Sequence, residues 1–188
     1  MIWKHCRWVK KMRTLAIVIK RQPTNEYDLL VTLYTQELGK LTAIAKSALK
    51  PSSTQGSHLD SYNLIDVELV DGKSWPIMAG AQCLDGRRHI KSSLSSLAIA
   101  GFFTEAIHKI VFDGQRDDEL WDFLNNVFDS LNGPKGCDDA TFAGFQRELI
   151  TVLGHGAQKE NLQATLDRLA NARLASGSLL RRVRVVLQ

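Results

Sequence analysis

The chain has 188 residues, of which 44% are hydrophobic and 23% charged, a composition that is typical of a globular protein and excludes a disordered one. No apolar run approaches the about 20 residues that a membrane-spanning helix needs, and the basic N-terminus lacks the apolar region of a secretory signal, so we expect a cytoplasmic protein. Residues 1–91 carry 14 Lys and Arg against 8 Asp and Glu, whereas residues 92–188 carry 10 against 12. A basic half favours a polyanionic partner, although a solvated surface explains the same charges.

The first half of the chain alternates apolar and polar residues with the period of a β-strand. The alternation begins at Leu15 to Ile19 and is broken at Pro23. Four further runs follow, each bounded by turn residues, at 29–34, 41–45, 65–69 and 77–84. Five short strands at this spacing predict a small barrel of the OB type over residues 14–84, an architecture that often binds oligonucleotides.

The second half changes to the period of a helix after Asp85. Four helical segments are predicted, at residues 90–112, where two shorter helices fit equally well, 120–131, 142–153 and 162–169. Asp117 is placed to cap the second of them. The tail at 181–187 fits either a helix or a strand. The predicted fold is therefore α+β, an OB-like five-stranded β-barrel followed by an α-helical domain over residues 85–188.

Signals for catalysis and for metal binding are weak. Gly72-Lys73-Ser74 imitates the end of a phosphate-binding loop, but the glycine required five residues earlier is Val67. The acids near residue 120 fit the solvated start of a helix better than a metal site; they are Asp117, Asp118, Glu119 and Asp122. The cysteines are too far apart for a zinc site or a disulfide framework; they are Cys6, Cys83 and Cys137. We expect that the protein is not an enzyme and that it binds neither a cofactor nor a metal.

Basic side chains at strand ends and in loops favour nucleic-acid binding. The candidate contacts are Lys20, Arg21, Lys40, Lys46, Lys50, Arg87 and Arg88. Tyr34, Tyr62 and Trp75 are interleaved with them. Proteins that bind single strands combine a cationic groove with aromatic rings on which bases stack. The alternative is that Tyr34 packs in the barrel and the lysines are only solvated.

Residues 25–35, 37–46 and 62–69 cover three of the predicted strands. They are similar to the second, third and next strands of the RecO family of bacterial DNA repair proteins. Residues 145–154 resemble the helix that closes its core helical region. The resemblance extends over about residues 14–155, and it is most specific in the barrel.

The resemblance implies a recombination mediator that catalyses no covalent chemistry. Such proteins bind single- and double-stranded DNA, anneal complementary strands, contact single-strand-binding protein and, with RecR, help RecA load onto coated single strands. It also implies that the helical domain contacts the acidic tail of single-strand-binding protein. The candidate residues are Arg168, Arg173, Arg181 and Arg182. The alternatives are an OB-fold RNA-binding module and an enzyme with a pocket between barrel and helices.

The chain departs from the family pattern in three places. Ser47 stands where the family usually has glycine, and Leu49 where it usually has arginine, so one expected phosphate contact is missing. The four-cysteine zinc site that many members carry near the C-terminus has no counterpart. Residues 1–13 form a basic extension before the first strand. Because family chains usually start just before that strand, Met12 is a candidate start, and residues 1–11 are either a gene-model artefact or a basic arm.

Overall fold

The computed structural model describes residues 11–134, 137–156 and 161–177. Residues 1–10 of the predicted extension, and the tail after Gly177 with the predicted partner contacts Arg181 and Arg182, lie outside these residues. Residues 11–13, which were predicted to belong to the extension, are part of the first strand. Within them, residues 11–86 and 112–116 form one compact unit, and the rest form a second.

The first unit contains the five strands that the alternating pattern predicted. They are β1 (Lys11–Pro23), β2 (Leu29–Thr35), β3 (Gly39–Ala45), β4 (Leu64–Val70) and β5 (Ile77–Asp85). A short helix, α1 (Gln55–His58), lies in the segment between β3 and β4. Together with the helices of the second unit, these strands confirm the predicted α+β class and its OB-like barrel.

The sheet closes into a barrel in the order β1-β2-β3-β5-β4. Every pairing is antiparallel except that of β3 with β5, which is parallel. Ile44 lies opposite Ile77 at this junction, and its amide donates to the carbonyl of Pro76 at 2.8 Å. Closure leaves the barrel without the long unpaired edge that an open sheet presents.

Alternate residues of the strands fill the barrel interior. The cluster is made of small and medium apolar side chains, which suit the narrow inside of a five-stranded barrel. Its members on β1 to β4 are Ala16, Val18, Leu29, Val31, Leu33, Leu41, Ala43, Ala45, Ile65, Val67 and Leu69. The core of the barrel is thus formed by every second residue of the strands, as expected from their alternating pattern.

A segment from the middle of the chain, residues 112–116, packs on the turn between β2 and β3. Asp113 forms an ion pair with Lys40 at 3.3 Å, and the Gly114 amide donates to the Lys40 carbonyl at 2.8 Å. Arg116 pairs with Glu37 at 2.8 Å. Gly39 lies beneath this segment with φ +64°, and a Cβ atom there would overlap the carbonyl oxygen of Gln115.

The second unit consists of α2 (Arg88–Ser92), α3 (Leu94–Ile110), α4 (Asp118–Asn132), α5 (Asp139–Val152) and α6 (Leu162–Leu169). Four of these helices begin with a side-chain cap, which satisfies amides that have no partner within the helix. The capping residues are Ser93, Asp117, Asp138 and Asn161. Of the two alternatives for residues 90–112, the structure shows two helices.

Aromatic packing forms the centre of the helical unit. Phe102 and Phe103 of α3 contact Phe142 and Phe145 of α5 and Phe123 of α4 edge to face, with ring centroids 5.3–6.2 Å apart. Phe123 also contacts Phe145, at 6.5 Å. Each such pair contributes about 0.5–1.5 kcal/mol beyond the burial of its surface. No helix among the described residues combines the length and the apolar character that a membrane crossing requires.

Glu105 of α3 anchors the end of the described chain. Its carboxylate accepts hydrogen bonds from the amides of Ala175 and Ser176 at 3.0 and 2.8 Å and pairs with Lys109 at 2.7 Å. Burial alone would raise the pKa of Glu105, but the hydrogen bonds from Lys109, Ser176 and Ala175 outweigh it and lower the pKa to about 2. The ionised carboxylate therefore stabilises the fold.

Replacing Gly39 by alanine will destabilise the first unit, because the left-handed backbone and the overlap with Gln115 are both unfavourable for a side chain. We expect the free energy of unfolding in urea to fall by about 1–3 kcal/mol. Gly80→Ala in β5 is the matched control, since a Cβ atom there meets nothing within 4 Å. Equal stability of the two variants would show that residues 112–116 do not press on Gly39.

Glu105→Gln will weaken the fold in a pH-dependent way. The folded pKa lies below its ordinary value of 4.5, so the stabilisation is complete above that value and is lost as the pH falls towards 2. At neutral pH we expect a loss of about 1–2 kcal/mol, allowing for solvent screening. The difference in the free energy of unfolding between wild type and variant will disappear in acid. Glu148→Gln, at an exposed site on α5, is the control, and a gap that stayed constant with pH would contradict this account.

Candidate nucleic-acid interface

Two loops meet at one end of the barrel. In the ladder between β2 and β3, Leu29 lies opposite Ala45. The residues just before β2 and just after β3 must therefore be neighbours. We call these two segments, residues 24–28 and 46–51, the rim.

Hydrogen bonds hold the two rim segments together. The Asp28 carboxylate accepts the Ser47 amide at 2.6 Å, and the Tyr27 carbonyl accepts the Leu49 amide at 2.9 Å. Asn25 braces the same turn, since its side chain donates to the Asp28 carboxylate at 2.9 Å. The Ser47 amide, followed by Asn25, lowers the pKa of Asp28, with smaller contributions from nearby lysines. The rim is thus tied by an ionised carboxylate.

Ser47 adopts a left-handed backbone with φ 55°. Glycine accepts this conformation without a steric cost, whereas most other residues do not. The glycine usual in the resembling family fits this position. In this chain the short hydrogen bond from the Ser47 amide to Asp28 holds the same backbone shape.

The outer surface of the rim is cationic and partly aromatic. Lys46 and Lys50 are both exposed. Tyr27 is 39% exposed and Leu49 37%. The Lys50 ammonium lies 5.4 Å from the centre of the Tyr27 ring, within the range of a cation–π contact. A phosphate and an unpaired base would each find a matching group here.

Lys20 and Arg21 lie on β1, close to its turn into β2. Lys20 is half-buried, and Arg21 is paired with Asp60 at 2.8 Å with 29% of its side chain exposed. The carboxylate offsets much of the Arg21 charge. Lys20 therefore remains the stronger candidate of the two for a phosphate contact.

The structure does not bring Lys40 to the rim. Lys40 lies at the beginning of β3 and Lys46 just beyond its end, so the five strand residues between them separate them by about 20 Å. The Lys40 side chain is 9% exposed and pairs with Asp113. We therefore remove Lys40 from the set of surface cations that the sequence suggested.

Arg87 is also unsuited to a phosphate contact, because it is fully buried. Its guanidinium lies 4.6 Å from the centre of the Phe128 ring, donates to the Asn125 side chain at 3.2 Å and is 3.6 Å from Asp129. Arg87 is thus part of the interior of the helical unit. Its neighbour Arg88 is exposed at the start of α2 and remains a candidate.

Of the aromatic residues suggested for stacking, the structure exposes only Trp75 to a comparable degree. Tyr34 is fully buried, as the alternative interpretation held. Burial raises the pKa of the Tyr62 hydroxyl, and Trp75, in the turn between β4 and β5, is 37% exposed. Tyr27 was not among the aromatic residues that the sequence suggested. Its position inside a polar turn, Asn25 to Asp28, was the available signal, because such a turn does not reach the core.

The remaining predicted residues lie in the second unit or outside the described ranges. Arg168 and Arg173 are exposed. Asp117 accepts the Leu120 amide at 2.9 Å, which is the capping role that the sequence favoured. In the part of the chain that the structure describes, His, Cys, Asp and Glu side chains form no group of three that could hold a metal ion.

The closed five-stranded sheet and the exposed lysines beside it make the first unit an OB-type barrel with a cationic rim. Residues 9–87 match the family model described as Recombination protein O N terminal. The match coincides with the barrel. Residues 9–87 are therefore similar to the N-terminal domain of the RecO family, as the strand segments indicated.

Curated relatives extend the similarity beyond the barrel. The chain is 23% identical over 153 residues to DNA repair protein RecO of Thermoanaerobacter sp. (strain X514), covering 81% of this chain and 62% of that protein. It is 28% identical to the RecO of Clostridium kluyveri over 77% of this chain and 56% of the relative. It is 27% identical to the RecO of Geobacter metallireducens, over 92% of this chain and 72% of the relative. The chain thus spans less than two thirds of the first two relatives.

Arg87→Ala will act on stability, because it removes the contact with Phe128 and the hydrogen bond to Asn125. We expect thermal or urea unfolding to show a loss of about 2–4 kcal/mol. Arg88→Ala, at the adjacent exposed site, should change stability by less than about 0.5 kcal/mol. An Arg87→Ala protein of unchanged stability would refute the structural role.

Proposed function

We propose that this chain is a DNA-binding recombination mediator in DNA repair and that it holds DNA at the barrel rim. The relatives' name, DNA repair protein RecO, supports the repair role. The observation that carries the proposal is the exposed pair Lys46 and Lys50 on a rim fixed by Asp28. Lysines on a preorganised loop bind phosphates without a large cost in ordering.

The rim supports affinity rather than sequence readout. A lysine ammonium acts as a point charge on a phosphate, whereas base identity is read through paired hydrogen bonds to base edges. Lys20, Lys46 and Lys50 form the proposed set of phosphate contacts. Binding should therefore tolerate any sequence and respond strongly to salt.

The finer activities belong to the same proposal. The protein binds single- and double-stranded DNA, anneals complementary strands and, with RecR, helps RecA load onto strands coated by single-strand-binding protein. It does so by binding, without covalent catalysis. Arg168 and Arg173, both exposed on the helical unit, are the proposed contacts for the acidic tail of single-strand-binding protein, because guanidinium groups pair well with carboxylates.

Lys46→Ala and Lys50→Ala will each weaken binding to single-stranded DNA by a similar factor for all sequences. Three phosphate contacts predict a slope of log K against log salt of about −2, and each substitution should flatten it by about 0.7. Fluorescence anisotropy over a salt series measures both quantities. Lys11→Ala is the control, since Lys11 lies at the opposite end of β1 and pairs with Glu68.

Three outcomes would contradict the proposal in different ways. Unchanged affinity and slope for both rim variants would move the site elsewhere, with Arg88 and Lys91 as the next candidates. Clearly tighter binding of RNA than of DNA in competition would favour an RNA-binding module. A wild-type chain that binds neither nucleic acid would end the proposal.

A further inference from the structure

Tyr27 is one of three exposed large aromatic residues among those that the structure describes, with Trp75 and Phe112. The five phenylalanines that form the centre of the helical unit are buried, whereas the Tyr27 ring is 39% exposed at the barrel rim. Leu49, the next large apolar residue on the rim, is also exposed. A flat apolar surface therefore lies directly beside the cations of the rim.

The backbone that carries this ring is fixed on both sides. The Tyr27 amide donates to the Asn25 side chain at 3.2 Å, and the Tyr27 carbonyl accepts the Leu49 amide at 2.9 Å. The next residue, Asp28, accepts the Ser47 amide. A backbone held in this way loses little conformational freedom when a ligand packs on the ring that it carries.

The Lys50 cation and the Glu26 carboxylate both lie beside the Tyr27 ring. The Lys50 ammonium lies 5.4 Å from the ring centre, so a cation and an aromatic face stand side by side. A hydrogen bond with Glu26 raises the pKa of the Tyr27 hydroxyl. A tyrosine hydroxyl is already neutral at physiological pH, and this shift keeps it so.

We propose that Tyr27 is a stacking platform for an unpaired base whose phosphate is held by Lys50, an inference that rests on the proposed DNA-binding function. In a duplex each base is already stacked between its neighbours and cannot cover the ring. Only a single strand, or an unpaired end or bulge, can use the ring as well as the lysines. Tyr27 therefore makes the rim prefer unpaired strands, which lysines alone do not do.

The test compares strands that carry the same charge with and without bases. The probes are oligo(dT) and an abasic oligonucleotide of the same length, measured by anisotropy with the full chain. Tyr27→Ala should weaken binding of oligo(dT) by about 5- to 150-fold, which corresponds to the 1–3 kcal/mol of one stacked base. Binding of the abasic strand should not change. Tyr27→Phe keeps the ring and should bind oligo(dT) as the wild type does.

A wild-type chain that binds oligo(dT) and the abasic strand equally well would overturn the stacking role and leave the DNA-binding function intact. A Tyr27→Ala protein whose affinity falls by the same factor for both strands would also overturn the stacking role. In that case the substitution would act by disturbing the rim and not by removing a surface for the base. Failure of the wild type to bind either strand would instead contradict the proposed function.

A second measurement covers the case in which Tyr27→Ala fails to fold. Oligonucleotides containing 5-iodouracil crosslink on irradiation to an aromatic ring stacked on the base. With the wild-type chain, the crosslink should map to Tyr27. A crosslink found only at Trp75, or only in the helical unit, would overturn the proposal.

Discussion

Closure of the five-stranded sheet is the constraint on which the geometry of the rim depends. The barrel closes through one short parallel junction, where Ile44 lies opposite Ile77 and donates to Pro76. This junction fixes the end of β3, and the ladder to β2 then fixes Leu29 opposite Ala45. The loop before Leu29 and the loop after Ala45 must therefore lie next to each other. The position of Lys46, one residue beyond Ala45, follows from the same register.

A carboxylate at the centre of a cationic surface is at first unexpected for a DNA-binding site. Asp28 is explained by its hydrogen bonds, because it accepts the Ser47 amide and a donor from Asn25. Its negative charge is used in hydrogen bonds that fix the two loops, whereas Lys46 and Lys50 are exposed on the surface of the rim. The rim thus combines a rigid backbone with mobile ammonium groups. This combination suits a protein that must bind many sequences and release them again.

Sequence patterning predicted the fold better than it predicted the site. Alternation found all five strands because one face of each strand fills the barrel, and the helical period and Asp117 found α4. The same patterns could not show that Lys40 is covered, since Asp113 comes from far along the chain, or that Arg87 is buried against Phe128. Tyr27 was overlooked although it lies in a polar turn, because its place beside Lys50 depends on how residues 24–28 lie against residues 46–51.

Amide hydrogen exchange with and without oligo(dT) tests the central claim, that DNA binds at the rim, most directly. Mass spectrometry of the full chain resolves the segments 24–28, 46–53 and 118–132 as separate peptides. The account predicts slower exchange in the first two on addition of oligo(dT) and no change in the third, whose exposed face carries Asp118, Asp122 and Asp129. Slower exchange confined to the helical unit, with the rim unaffected, would contradict it.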